Sequence, residues 1–242
     1  MPIIVPFETL TELFKNLSKK YAGKQKAAFY HKLDPKGSYE PVYWDQVTDD
    51  VQSIAAYLVE RGAKPGDRIG ILSENRYEWA IVDLAIQMIG GINVSLYTTL
   101  PPAQCEYILK DSDTKIFFVS TGIQIKKAAE VFENCPDLIA EGAKLYPKHK
   151  EIINKYSNAV EPEDIATLIY TSGTTGNPKG AMLTHHNIVS NVKAATQHIY
   201  WDDTDRSLSF LPLCHSFERT GGYYAIISCG AEIYYAESVA TV

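Results

Sequence analysis

The 242-residue chain has few cysteines, no surplus of positive charge and no long apolar run, and each shortage excludes something. Its four cysteines, Cys105, Cys135, Cys214 and Cys229, stand far apart with no C-x-x-C pair. No dense disulfide framework is expected, and the pattern suits a reduced intracellular chain. Lys plus Arg number 23 against 29 Asp plus Glu, a net charge of −6. That balance argues against a general nucleic-acid binder, which must neutralise many phosphates. No window approaches the ~18 uninterrupted apolar residues of a membrane span. The richest stretch, Ala80 to Ile92, is broken by Asp83, Gln87 and Gly90-Gly91. The start, Met1 to Glu8, has neither the basic nor the apolar region of a signal peptide. Internal repeats and low-complexity segments are missing too. With 45% apolar and 21% charged residues, disorder, collagen and coiled coil are excluded. The expectation is a soluble, cytoplasmic protein that buries a real core, with peripheral membrane contact still open to it.

What is present is an alternation of elements. Thr9-Leu-Thr-Glu12 has capping-box spacing, with Leu10, Leu13, Phe14 and Leu17 following at helical intervals. Lys26 to His31 and Tyr39 to Tyr43 read as strands around the turn Asp34-Pro-Lys-Gly37, a hairpin. Val47, Val51, Ile54, Ala55 and Leu58 form a helical stripe that Gly62 closes. Then come a strand at Arg68 to Leu72, a helix over 76–89 apolar on nearly every side, and a strand at Ile92 to Leu96. A helix opening at Pro101-Pro102 and a strand at Lys115 to Val119 complete this run. Such a succession with short loops predicts a parallel sheet with right-handed crossovers, in an α/β fold layered α/β/α. Two helices, Ile123 to Asn134 and Leu138 to Tyr156, interrupt it. The rhythm resumes with strands at Ile165 to Tyr170 and Ala181 to Leu183, and a helix capped by Thr184 with the stripe Ile188, Val189, Val192, Ala195 and Ile199. A strand at Ser207 to Leu211, a Gly-containing helix over 217–228 and a strand at Ala231 to Tyr235 end the chain.

The informative stretch is Tyr170-Thr-Ser-Gly-Thr-Thr-Gly-Asn-Pro-Lys-Gly180. Glycines let backbone N–H groups face an anion, hydroxyls add donors, and a lysine adds a mobile positive charge, so the loop suits polyphosphate, although composition alone does not exclude a polar hairpin loop. A Walker A loop fails residue by residue. Lys179 follows Pro178 rather than Gly, Gly180 stands where Ser or Thr is required, and a strand rather than a helix comes next.

Thr171 to Gly180 resembles the phosphate-binding signature of the AMP-forming acyl-CoA synthetases, the adenylate-forming superfamily that includes firefly luciferase. Lys64-Pro-Gly-Asp-Arg-Ile-Gly-Ile-Leu72, Glu74-Asn75 and Pro101-Pro102 resemble the N-terminal part of that family, and Leu211-Pro-Leu-Cys-His-Ser-Phe-Glu-Arg219 is similar to the second core motif of its long-chain fatty-acid–CoA ligase branch. The resemblance implies ATP-dependent activation of a fatty acid to acyl-adenylate, then thioester formation with coenzyme A. It implies that Thr171, Ser172, Gly173, Thr174, Thr175 and Gly176 bind the β- and γ-phosphates, that Lys179 holds departing pyrophosphate, and that His215 lies by the carboxylate and α-phosphate. Mg2+ is implied as well, its ligand expected beyond residue 242. The family's adenine, ribose and hinge segments and its C-terminal domain are not matched. The expectation is therefore the N-terminal portion of an adenylation domain, inactive alone. Its subregions 1–121 and 158–242 would be joined by a helical connector, 122–157. The family commonly carries an extra strand near Asp137-Leu138. A non-catalytic nucleotide-binding module, or another acyl- or aryl-CoA ligase, is the alternative reading.

The remaining candidates read as structural. His185-His186 suits a polar helix start better than a metal pair, because adjacent helical side chains diverge by about 100°. Cys214-His215 reads as no nucleophile–base dyad, and Glu218-Arg219 reads as a structural ion pair at least as readily as a substrate contact. Asp202-Asp-Thr-Asp205 lacks the pattern of a calcium loop and reads as a solvated turn. Glu161, Glu163 and Asp164 form a charged lead-in to a strand, and the 16 scattered tyrosines make no stacking platform for nucleic acid.

Overall fold

The first helix, α1 (Leu10–Tyr21), starts where Thr9 Oγ1 accepts the Glu12 N–H at 3.1 Å. The reciprocal arm slips by one residue, since the Glu12 carboxylate takes the N–H of Glu8 at 2.7 Å. In the computed structural model, residues 3–32, 37–120, 123–124, 138–171 and 177–236 are described. Helix α2 (Trp44–Glu60) buries Val47, Val51, Ile54, Ala55 and Leu58, and the chain leaves it through Gly62 at φ 84°, a left-handed conformation that glycine adopts without strain.

The strands sort into two sheets. The first has the order β5–β3–β4–β6–β7: β3 (Arg68–Leu72), β4 (Ile92–Leu96), β5 (Ile116–Val119), β6 (Ile165–Thr171) and β7 (Lys179–Thr184). Its pairs β3–β4, β3–β5 and β4–β6 are parallel, while β6 and β7 form an antiparallel hairpin. The second has the order β2–β1–β9–β8: β1 (Ala27–His31), β2 (Glu40–Tyr43), β8 (Arg206–Ser209) and β9 (Glu232–Tyr235). Its hairpin β1–β2 is antiparallel, and β9 runs parallel to both β1 and β8. The layered, mostly parallel α/β fold is as expected. Its division into two sheets, the first from the middle of the chain and the second from its two ends, is new information, because an apolar strand does not name its neighbour.

Helix α3 (Tyr77–Met88) lies between the sheets, and all its residues except Glu78 are buried. Tyr77 meets Phe29 of β1 with ring centroids 6.1 Å apart. Each large apolar side chain it buries contributes roughly 1.5–3 kcal/mol. Helix α4 (Pro102–Asp111) follows its N-cap Pro101, with Pro102 at the first helical position. Helix α5 (Leu138–Asn158) packs along α2. The backbones nearly touch, since a Cβ on Gly142 would sit 2.0 Å from the Ser53 carbonyl oxygen. Of the helix expected over Ile123 to Asn134, only 123–124 fall within the described residues, and the hairpin turn at 33–36 lies outside them.

Two expectations need correcting. Helix α6 (His185–His198) opens with a full capping box between Thr184 and Asn187, but its inner stripe ends at Thr196. Ile199 is 53% exposed, because the helix stops before it and Ile199 turns to an extended conformation. The Gly-containing helix is a π-helix over Glu218–Tyr224 that tightens into α7 (Ala225–Ser228). Gly222 makes room for the Glu218 carboxyl, which a Cβ would approach to 2.5 Å.

Candidate functional site

Strands β3, β4, β5 and β6 run parallel, so their carboxyl ends share one edge, where α/β sheets usually hold ligands. The chain becomes polar there: Ser73-Glu74-Asn75 after β3, Tyr97-Thr98 after β4, Ser120 after β5 and Thr171 closing β6. Glu74 receives the Ser120 hydroxyl and the Gln124 amide, the latter at 2.9 Å. Burial alone would raise the Glu74 carboxyl, yet these two donors, its own backbone N–H and the Arg76 charge together hold its pKa below the ordinary value.

The phosphate-loop candidate spans the β6–β7 hairpin. Thr171 and Lys179 face each other in the register, both exposed, and Ser172, Gly173, Thr174, Thr175 and Gly176 between them lie outside the described residues. The hairpin continues to Ile165 opposite Thr184, so a strand follows Lys179 and no Walker A helix forms. Helix α4 grips its base. The Tyr170 hydroxyl donates to Asp111 at 2.6 Å, and the other Asp111 oxygen accepts from Tyr107 at 3.4 Å. Burial, then the Asp111 carboxylate, pushes the Tyr170 phenol pKa up. Gly180 lies opposite Tyr170, where a Cβ would press on the ring at 3.0 Å.

His215 approaches from the other side. Its exposed ring stands edge-on to Tyr97, centroids 6.4 Å apart. Strand β4 pairs with β6 as far as Ser95 with Ile169, and Tyr97 follows the end of β4 as Thr171 closes β6. His215 Nδ1 accepts the Phe217 N–H at 3.2 Å, which puts the proton of a neutral ring on Nε2. Cys214, by contrast, is buried, and burial pushes its thiol up to about 12, so it offers no thiolate.

The expected Glu218–Arg219 ion pair does not form. Successive residues of the π-helix point to different partners: Arg219 to Asp83 of α3 at 2.5 Å, and Glu218 to the Ser209 hydroxyl at 2.6 Å. Burial raises the Glu218 carboxyl, partly offset by that hydroxyl. Arg219 also donates to Thr167 at 2.6 Å, and Asp83 accepts from Asn93 at 2.6 Å and from Tyr224 at 2.5 Å. The Arg219 guanidinium stays firmly charged, since the Asp83 carboxylate overcomes the effect of burial. Sequence reasoning treated Asp83 and Gln87 only as interruptions. The available signal was a carboxylate inside a helix apolar on all sides, which requires a buried cation elsewhere in the chain.

His185 is buried rather than a polar helix start facing water, and its Nδ1 accepts the Leu10 N–H at 3.1 Å. Among the described residues no group of three or more His, Cys, Asp or Glu is placed to hold a metal ion. Asp202 to Asp205 is a turn, with the Asp202 N–H donating to Asp205 at 2.7 Å. No described helix is long and apolar enough to cross a membrane.

The chain resembles several proteins of known activity. A long-chain-fatty-acid–CoA ligase of Mycobacterium tuberculosis is 33% identical over 199 residues, 76% of this chain and 33% of its own length. Long-chain-fatty-acid–CoA ligase 1 of Homo sapiens is 31% identical over 90% of this chain and 36% of its own. Among solved structures, a Mycobacterium tuberculosis fatty acyl CoA synthetase has a TM-score of 0.78 at 19% identity, over 96% of this chain and 45% of that one. A fatty acyl-adenylate ligase from Legionella pneumophila, in complex with acyl adenylate and pyrophosphate, has a TM-score of 0.75 at 24% identity, over 95% and 40%. These likenesses establish the shared fold. The chain spans about a third of the length of the curated relatives it matches. The AMP-binding enzyme profile matches residues 18–241, nearly the whole chain, and the chain belongs to that family.

Proposed function

We propose that this chain is the N-terminal portion of the adenylation domain of a long-chain fatty-acid–CoA ligase acting in the cytoplasm. The observation that carries the proposal is the facing pair Thr171 and Lys179 at the carboxyl edge of the parallel sheet, with the His215 ring against Tyr97 just after the neighbouring strand β4. A fatty-acid carboxylate oxygen would attack the α-phosphorus of ATP as the bond to the β-phosphate breaks and pyrophosphate leaves. The sulfur of coenzyme A would then attack the acyl carbon and release AMP. Such transfers need positioning and charge stabilisation more than a protein nucleophile.

The residues divide that work. Thr171, Ser172, Thr174, Thr175 and the backbone at Gly173 and Gly176 bind the β- and γ-phosphates, while the Lys179 ammonium neutralises pyrophosphate as it departs. The His215 Nε2–H donates toward the oxygens shared by the carboxylate and the α-phosphate. Among the described residues no group of three or more His, Cys, Asp or Glu is placed to hold the Mg2+ that accompanies ATP.

ATP–pyrophosphate exchange with a fatty-acid series, backed by hydroxamate trapping of the acyl-adenylate, tests this on the longest chain its gene encodes. Exchange that appears only with fatty acid is the expected result. Nucleotide binding without any fatty-acid-dependent exchange would leave a non-catalytic module instead.

A further inference from the structure

We infer that Asn75 is a positioning residue for His215, acting by clamping the backbone just upstream of it. The inference rests on the function proposed above, which gives the imidazole its work. Asn75 follows β3 and is 6% exposed. Its Nδ2 donates to the Leu211 carbonyl at 2.6 Å, and its Oδ1 accepts the Leu213 N–H at 3.0 Å. One side-chain amide thus bonds the segment as the peptide of a neighbouring strand would. Pro212, between those two residues, has no N–H to offer, and its carbonyl accepts the His215 N–H at 2.8 Å. The His215 carbonyl in turn accepts the Arg219 N–H at 3.0 Å. These hydrogen bonds tie the end of β3 to the turn that carries the His215 backbone and on into the π-helix.

The same contacts explain the residue type. Asp would lack the donor for Leu211, and Leu of similar volume would leave two buried backbone groups unbonded. Asn75 Nδ2 also lies 3.4 Å from Ser209 Oγ, whose hydroxyl donates to Glu218, so the clamp joins the end of β8 to the start of the π-helix.

A double-mutant cycle in the ATP–pyrophosphate exchange assay tests the inference. Asn75→Ala is expected to lower kcat by about 10- to 100-fold while the KM values for ATP and fatty acid move by no more than about twofold. Adding His215→Ala to Asn75→Ala should cost no more than about threefold further, because both changes act through one ring. Two losses that multiply in the double variant would overturn the inference. Asn75→Asp keeps the volume and the Leu213 bond, and carries the same cycle if Asn75→Ala does not fold. A readout independent of turnover is the NMR signal of the His215 ring in histidine-labelled protein, assigned by its loss in His215→Gln. It should move in Asn75→Ala while the signals of the other histidines stay, and an unmoved signal refutes the clamp. A moved signal in a protein without fatty-acid-dependent exchange would defeat the ligase reading and leave the clamp standing.

Discussion

Asp83 and Arg219 meet in the interior, Oδ1 to guanidinium nitrogen at 2.5 Å, with side chains 0% and 1% exposed. Both charges have lost their water, and Asn93, Tyr224 and Thr167 supply the hydrogen bonds that replace it. In this geometry the loss of one partner is far worse than the loss of both. Asp83→Ala should destabilise the fold by about 3–5 kcal/mol in urea unfolding. The double variant Asp83→Leu with Arg219→Met should recover most of that loss. A double variant as unstable as the single one would show that the pair itself, rather than an orphaned charge, supplies the stability.

His185 gives stability a pH dependence of definite sign. Burial lowers its pKa to about 4, below the 6.5 of an exposed imidazole, and the neutral ring accepts the Leu10 N–H. Between those values the unfolded chain binds the extra proton and the folded chain does not, so stability falls as pH drops from about 6.5 to about 4. The contribution is about 3 kcal/mol at neutral pH. Thermal unfolding across that range should show the decline, and His185→Gln should flatten it.

The touching backbones of α2 and α5 set a steric limit at one position. Gly142→Ala places a methyl where the Ser53 carbonyl already stands, so the helices must separate. The expected cost is about 1–3 kcal/mol. Chemical denaturation would expose an error here if Gly142→Ala were neutral or stabilising, as alanine usually is inside a helix.

Cys214 lies next to a histidine yet is buried, its thiol raised to about 12. Iodoacetamide at pH 8 should leave it unmodified in the native protein and label it after denaturation. Peptide mapping that finds it alkylated in the folded state would contradict that account.

Lys179 should separate adenylation from fatty-acid binding. With Lys179→Ala, fatty-acid-dependent exchange should slow by about 100-fold, the scale of losing one charge-stabilising donor. Fatty-acid affinity, followed by displacement of a fluorescent fatty acid, should stay unchanged. Equal damage to both would remove Lys179 from the phosphate role.

How much of this was legible beforehand depended on whether the cause was local. Arg68 to Leu72 and Ile92 to Leu96 are strands as read, because short apolar runs between Gly-containing turns have few other solutions. Thr184 caps as expected, for the same local reason. The partners of Arg219 and Glu218 were not legible, since sequence neighbours usually part company in a helix and nothing in Glu218-Arg219 shows the π-turn that separates them. Asn75 stood out only as part of the family resemblance, not for its contacts. Its role depends on where residues 211–213 return, a distance of more than a hundred residues that no periodicity encodes. The glycine- and threonine-rich loop suggested phosphate chemistry through backbone freedom and hydroxyls, but its residue types alone left a polar hairpin open, and the family resemblance gave it its reading.

The parallel pairing of Phe29 with Ile233 sets a schedule for biosynthesis. Strand β9 fills the place between β1 and β8, so the N-terminal hairpin keeps an open edge until nearly all of the 242 residues have been made. At about 5–20 residues per second, roughly 200 residues take some 10–40 s to add. During that interval β1 is paired on its β2 side alone, and its other edge is an aggregation hazard that a chaperone holding the nascent hairpin would remove.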